Sequence, residues 1–133
     1  MSPTELIQTI AEPTRLRILN CLAAAPLFVS DLQSLLGLPQ STVSRHLQVL
    51  RRAELVRDTP VTPFVIYRLR HPLGASGQLL GTVLETIATE AVFGAERDAA
   101  HARSRSNYFD RTSEEPAMTA SDGMGQANEG GTA

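Results

Sequence analysis

The feature that most restricts the fold is a pair of short amphipathic segments separated only by the junction Gly37-Leu38-Pro39. The first segment opens with a capping box at Ser30–Gln33 and ends at Gly37, a natural C-terminal stop. The second begins around Pro39–Gln40 and runs to about Ala53. Two short helices joined by so tight a turn are typical of a helix-turn-helix.

The flanking segments extend this motif on both sides. Upstream, capping and proline signals predict helices that begin at Ser2–Glu5 and at Pro13. Downstream, β-type residues predict two strands, about 55–58 and 64–69, joined by a proline-bearing loop. A hairpin directly after the second helix of a helix-turn-helix is a wing. The predicted fold is mainly α with a small β-hairpin, a winged helix-turn-helix over residues 1–72.

The remainder of the chain divides in two. Residues 73–109 contain no proline and carry a near-heptad apolar stripe at Leu80, Leu84, Ile87 and Ala91, which predicts one long C-terminal helix. Residues 110–133 are rich in small residues and acids, so we predict a disordered tail there. The role of the part after Thr112 stays open.

Composition excludes several classes of protein. The longest apolar run has eight residues, against the roughly twenty that a membrane helix needs. A single cysteine, Cys21, excludes an internal disulfide and a cysteine-rich zinc site, and no secretory signal is recognisable, so we expect a cytoplasmic protein. No phosphate-binding glycine loop or catalytic grouping is apparent, so we do not expect an enzyme.

Charge is distributed unevenly along the chain. The net charge is −2, but every basic residue is arginine. Residues 1–70 carry eight arginines and five acids, whereas residues 71–133 carry four arginines and nine acids. A basic first half and an acidic second half indicate that a polyanion would meet the first half, although the same balance also suits an ordinary solvated surface.

The second helix of the motif separates into two faces at 100° per residue. Val43, Leu47 and Leu50 fall on one side, and a polar stripe of serine, arginine and glutamine falls on the other. Arginine pairs with guanine and glutamine with adenine in the major groove, so the polar face is typical of a DNA-reading helix. The candidate DNA-binding residues on this helix and the wing are Gln40, Ser41, Thr42, Ser44, Arg45, His46, Gln48, Arg51, Arg52, Arg57 and Arg68. His46 borders the core face, where either packing or a phosphate contact suits it.

These segments together resemble the ArsR/SmtB family of bacterial winged-helix repressors over roughly residues 4–70. The matching segments are Glu12–Leu19, Val29–Leu32, Leu36–Leu38, Thr42–Leu47 and Leu50–Val56. The resemblance implies a homodimer built from the first and last helices, bound to palindromic operator DNA until an inducer releases it. The dimer interface would then comprise Leu6, Ile10, Leu80, Val83, Leu84, Ile87 and Ala91.

The sequence departs from the family at its metal-sensing positions. No cysteine occurs in Leu27–Asp31, where metal-sensing members carry a thiol pair, and the acids and His101 lack the usual ligand spacing on the last helix. We therefore expect no metal site and no cofactor. A signal, if one exists, is expected to be an organic molecule, an altered protein level or oxidation of Cys21. A winged-helix module for protein contact is the other alternative. Glu54 occupies a family glycine position and should cost about 1 kcal/mol if its backbone is left-handed. The operator, the regulated genes and the inducer are not specified by the sequence.

Overall fold

The computed structural model describes residues 1–122, with side chains through residue 107. Its elements in chain order are α1 (Pro3–Ile10), α2 (Pro13–Ala24), β1 (Leu27–Phe28), α3 (Val29–Leu36), α4 (Gln40–Arg52), β2 (Val56–Val61), β3 (Phe64–Leu69), α5 (Gly74–Ile87) and α6 (Ala91–Asp122). Met1–Ala102 form one compact unit, and a second unit starts at Arg103 inside α6. The predicted class, mainly α with a small antiparallel sheet, is confirmed.

The first two helices begin at the predicted signals. Ser2 caps α1, since its hydroxyl accepts a hydrogen bond from the Glu5 amide at 3.2 Å and its own amide donates to the Glu5 carboxylate at 2.8 Å. Glu12 caps α2 by accepting from the Arg15 amide at 2.9 Å, and Pro13 is the first helical residue. These short helices therefore satisfy part of their N-terminal N–H groups locally.

The start of α3 differs from the prediction by two residues. Phe28, not Ser30, is the N-cap residue, and its amide donates to the Asp31 carboxylate at 2.9 Å. Ser30 lies inside the helix and Asp31 replaces Gln33 as the reciprocal capping side chain. Asp31 is buried, so this hydrogen bond also satisfies a polar group in the interior.

The sheet has three antiparallel strands in the order β1-β3-β2. Sequence reasoning missed β1, in which Leu27 pairs with Tyr67 and Phe28 with Ile66. It also ended β2 too early, because that strand continues through Pro60 to Val61. Proline is tolerated there because β2 is an edge strand, bonded on one side only.

The predicted single helix over residues 73–109 is wrong, since the chain folds back between α5 and α6. The Thr86 hydroxyl donates to the Thr82 carbonyl at 2.6 Å, and the Thr89 hydroxyl donates to the Thr86 carbonyl at 2.7 Å. Such side-chain bonds compete with the helical ladder and favour its termination without proline. The predicted tail boundary is also too early, because α6 runs past residue 110 to Asp122; residues 123–133 lie outside the described part of the chain.

A polar cluster holds the first turns of α6 against α2. Its members are Arg17, Asn20, Glu96 and Arg97. Arg17 donates twice to Glu96 Oε2, at 2.6 and 3.0 Å. The Asn20 amide donates to the Phe93 carbonyl at 3.0 Å, and Arg97 donates to Asn20 Oδ1 at 2.9 Å and to the Leu84 carbonyl at 2.8 Å. Asn20 is fully buried, so these bonds offset its desolvation.

The middle of the apolar stripe of α5 is buried within the chain. Leu80 and Leu84 are 0% and 2% exposed, and Leu6 and Ile10 of α1 are buried with them. Four predicted interface residues are thus core residues of the single chain. The other three are Val83 and Ile87, which are half-buried, and Ala91, which is exposed.

Candidate nucleic-acid interface

The orientation of α4 is fixed by its apolar face. Val43, Leu47 and Leu50 are buried, as predicted, in the core that α2 and α3 share. Since residues on the opposite side of a helix point away from such a stripe, the polar face of α4 is directed to solvent.

The turn before α4 requires glycine. Gly37 has φ +69°, a left-handed backbone that residues with a Cβ seldom adopt, and its amide donates to the Gln33 carbonyl at 2.9 Å. Leu38 adds a bond to the same carbonyl at 3.3 Å. This closes α3 within one residue and allows α4 to begin at Gln40.

The N-terminus of α4 has no side-chain cap. Pro39 is the N-cap residue and has no side-chain acceptor for the first-turn amides. The N-terminal amides and the helix dipole of such a helix favour an anion. Sequence reasoning missed this feature, although a proline at the N-cap, where serine or aspartate is usual, is a readable signal.

The predicted outward stripe of α4 is present on the surface. Its exposed members are Gln40, Ser41, Arg45, Gln48, Arg51 and Arg52. The Arg51 guanidinium donates to Gln48 Oε1 at 3.2 Å, which positions that amide beside a cation. The stripe therefore presents two amide side chains, a hydroxyl and three guanidinium groups, the donors and acceptors that base edges and phosphates pair with.

Three candidate residues of α4 are less accessible. Thr42 and Ser44 are half-buried, and the side chain of His46 is only 13% exposed. His46 Nδ1 lies 3.8 Å from the Glu12 carboxylate of α2 and has no hydrogen-bond partner among the described residues. Of the two interpretations of His46, its low exposure favours packing beside Glu12, whereas its role as a DNA contact stays a prediction.

The wing carries two arginines opposite one another. Arg57 of β2 and Arg68 of β3 are register partners, and both are exposed. Like charges directly opposite on a sheet are unfavourable unless an anion lies between or above them. At the wing tip, Phe64 is 57% exposed and is supported by Phe28, with ring centroids 5.9 Å apart in an edge-to-face arrangement.

The Tyr67 phenol is influenced by charges of both the wing and α4. Burial raises its pKa, and the nearby Asp58 carboxylate raises it further, while Arg51 opposes the shift. The phenol is consequently protonated at neutral pH and remains available as a hydrogen-bond donor.

Cys21 is not exposed. It is 0% exposed within α2, and burial, reinforced by the Glu96 charge, raises its pKa to about 12. The thiol is thus protonated at physiological pH, whereas the thiolate is the form that reacts and binds metals. Within the part of the chain that the structure describes, no group of three or more histidine, cysteine, aspartate or glutamate side chains is arranged to hold a metal ion.

Among the described residues, none of the helices combines the length and apolarity needed to cross a bilayer.

The chain matches the model of the bacterial regulatory protein arsR family over residues 12–58. It is 38% identical over 93 residues to the HTH-type transcriptional regulator Rv2034 of Mycobacterium tuberculosis, covering 70% of this chain and 84% of that protein. It is 38% identical over 94 residues to the regulator CmtR of the same organism, covering 69% and 79% respectively. The solved transcriptional repressor BigR from Xylella fastidiosa superposes with a TM-score of 0.58 at 25% identity, covering 66% of this chain and 85% of BigR.

Proposed function

We propose that this chain, which belongs to the ArsR family of bacterial regulatory proteins, represses transcription as a homodimer bound to a palindromic operator. Its relatives are helix-turn-helix transcriptional regulators, so DNA binding and regulation of transcription are the function of the family rather than catalysis. We place this activity in the cytoplasm, where the bacterial chromosome lies. The single observation that carries the proposal is the exposed Ser41–Arg52 stripe on a helix anchored by three buried apolar residues.

In this proposal α4 enters the major groove. Arg45 and Gln48, at the middle of the stripe, contact base edges, and the uncapped first turn with Ser41 contacts a phosphate. Arg57 and Arg68 on the wing neutralise phosphates, which would relieve their mutual repulsion. Phosphate contacts fix the position of the helix, and base contacts give the specificity.

We propose that the dimer uses the first and last helices, but through other residues than the buried stripe. Ile7 of α1 is 53% exposed and Val92 of α6 is 73% exposed, and half-buried Val83 and Ile87 face outward in part. A two-fold axis along these helices would set two copies of α4 in successive major grooves, about 34 Å apart. An operator with inverted half-sites follows from that symmetry.

The buried state of Cys21 disfavours the alternative in which oxidation of this thiol releases DNA. An oxidant reacts with an accessible thiolate, and Cys21 is both buried and protonated. The alternative of a protein-contact module is disfavoured by the α4 stripe, which contains no aromatic or aliphatic side chain of the kind that dominates protein interfaces.

The test is unbiased recovery of bound DNA fragments from the genome, followed by sequencing and by sedimentation of the complex. We expect one enriched inverted repeat and a complex that contains two chains. The Arg45→Ala variant serves as the matched control, and it should lose the enrichment while retaining weak binding to all fragments. Recovery of fragments without a shared motif, or a motif without two-fold symmetry, would contradict the proposal.

A further inference from the structure

A cleft of about 800 Å³ opens between α1, the end of α4 and the segment that follows β3. We infer that this cleft binds a small organic acid, whose carboxylate pairs with Arg52 and whose apolar part lies on Met1, Pro72 and Leu73. The inference rests on the proposed function only where it concerns regulation, because occupancy of Arg52 would compete with DNA. The volume falls within the range of about 300–1,000 Å³ that is common for small-molecule sites.

The walls of the cleft are held in place by bonds between segments distant in sequence. The Arg70 amide donates to the Leu55 carbonyl at 2.8 Å, which joins the end of β3 to the turn after α4. The buried Ser76 hydroxyl donates to the Met1 carbonyl at 2.8 Å, which fixes the start of the chain against α5. At Gly77 a Cβ would lie 1.9 Å from the Pro72 carbonyl, so only glycine permits this close approach. The cleft is therefore largely formed before a ligand enters.

The wall of the cleft carries the α-amino group of Met1, two arginines, His71 and two glutamates. The Glu5 carboxylate is engaged by the Ser2 amide in the capping box, which lowers its pKa. Glu54 pairs loosely with Arg70, with 3.6 Å between the carboxylate and the guanidinium. The side chain of Arg52 has neither a hydrogen bond nor an ion pair among the described residues, which distinguishes it from Arg70. An unpaired guanidinium in a concave site favours a carboxylate, which it can bind with two hydrogen bonds.

The turn that follows Arg52 is also strained. Glu54 has φ +61°, a left-handed conformation that residues with a Cβ seldom adopt. Its side chain lines the cleft beside Arg52 and pairs with Arg70, so the non-glycine residue places a carboxylate at the wall. Backbone strain that positions a side chain in a cavity is typical of ligand sites.

The apolar wall sets the rest of the ligand class. Leu73 is 95% exposed and Met1 is 45% exposed, and both border the cleft with Pro72. An aliphatic or aromatic body covering these side chains would remove apolar surface from water, which favours binding. A compact acid with a hydrophobic body satisfies both the Arg52 charge and this wall.

Occupation of the cleft would affect DNA binding through Arg52. This residue belongs to the outward stripe of α4, so one guanidinium cannot serve a ligand carboxylate and a phosphate together. Competition of this kind is reciprocal: DNA weakens the acid to the same degree that the acid weakens DNA. The cleft would thereby give a metal-independent route to release.

Binding is tested first without DNA, using benzoate and hexanoate as probes and the neutral benzamide as the control. Amide NMR titration of the full chain should show saturable shifts at Arg52, Glu54 and Leu73 with both acids and not with benzamide. Arg52→Gln should weaken benzoate about tenfold, as loss of a charge-assisted pair would. Arg45→Gln, an exposed arginine on the same helix outside the cleft, should leave the benzoate affinity within twofold. Equal shifts with benzamide, no saturable shift, or equal affinity in Arg52→Gln would overturn the site.

Regulation is tested second, by release of fluorescent DNA from the wild type and from Leu73→Ser. Serine suits this exposed N-cap position of α5, so the variant should fold and bind DNA normally while losing severalfold in hexanoate affinity. We expect hexanoate to release DNA from the wild type at lower concentration than from the variant. If hexanoate binds but releases DNA equally from the wild type and from Leu73→Ser, the proposed competition is wrong, whereas the ligand site itself is retained. Failure of both proteins to bind DNA at all would instead refute the proposed function, since the first experiment does not depend on DNA.

Discussion

Arginines in two regions of this molecule have opposite roles. Near the start of α6, Arg17 and Arg97 are joined to Glu96, Asn20 and a backbone carbonyl by hydrogen bonds of 2.6–3.0 Å. On α4 and the wing, Arg45, Arg52, Arg57 and Arg68 have no hydrogen bond or ion pair among the described residues. The internal hydrogen bonds of the first group stabilise the fold, with Arg17 bonded to a carboxylate and Arg97 to neutral oxygens. The second group keeps its side-chain donors free, as the proposed DNA contacts require, whereas Arg51 of the same stripe donates to Gln48.

The largest expected effect comes from breaking the internal group. Glu96→Ala should lower the free energy of unfolding by about 3 kcal/mol, the low end for a buried ion pair because Arg17 is partly exposed. Chemical denaturation followed by circular dichroism measures this. Glu85→Ala, an exposed acid on α5, is the matched control and should change stability by less than about 0.5 kcal/mol. Equal stability of the two variants would mean that the polar cluster does not hold α6.

A smaller effect is expected from the external group, and on DNA instead of stability. Arg45→Ala should reduce discrimination between operator and random DNA by about 2 kcal/mol, as loss of a bidentate base contact does. Arg68→Ala should weaken both DNAs similarly and reduce the slope of log affinity against log salt by about 1. Fluorescence anisotropy at several salt concentrations measures both. The assignment of Arg45 to base reading fails if the two variants lose operator and random DNA by the same factor.

The strained turn at Glu54 should give a smaller effect, an increase in the free energy of unfolding instead of a decrease. Glu54→Gly should raise the free energy of unfolding by about 1 kcal/mol, since it relieves a left-handed non-glycine backbone and removes only an exposed ion pair. Thermal unfolding measures the gain. Glu54→Ala keeps the backbone strain while removing the same carboxylate. If this variant is also more stable than the wild type, the destabilisation comes from the glutamate side chain and not from the backbone.

The last predicted effect is absent at neutral pH and consists of a dependence of stability on alkaline pH. The pKa of Cys21 is raised to about 12 in the folded chain from 9.0, so folding favours the protonated thiol. Its contribution is complete below pH 9.0 and is lost as the pH rises toward the folded value. The free energy of unfolding of the wild type and of Cys21→Ala, plotted against pH, should run in parallel below pH 9.0 and diverge above it, because only the wild type carries the thiol. Parallel plots at every pH would contradict the burial of the thiol.

Local signals were sufficient for the helix-turn-helix. The Ser2 capping box, the Gly37 stop and the inward Val43, Leu47 and Leu50 depend on residues within a few positions of each other, and each was predicted from the sequence. The left-handed backbone of Glu54 was likewise expected from the resemblance to a family with glycine there. The positions of α4 and of its polar stripe follow from such neighbours alone.

Distant contacts explain what the sequence did not predict. The two-residue strand β1 exists because Leu27 pairs with Tyr67, and two residues are too few to show a strand pattern. Local threonine bonds accompany the end of α5, but the position of α6 after the break involves bonds such as that from Arg97 to Asn20, 77 residues apart. The stripe of Leu80 and Leu84 was correctly identified as apolar, but amphipathicity does not specify whether α1 of the same chain or a second copy covers it.

Arginine side-chain NMR tests the central distinction most directly. The Nε–H signals of the folded chain are followed while a duplex carrying the recovered operator is added at low salt. The signals of Arg45, Arg52, Arg57 and Arg68 should shift and become protected, while those of Arg17 and Arg97 stay unchanged. Shifts at Arg17 and Arg97 with unmoved signals on α4 and the wing would show that this chain meets DNA through another surface.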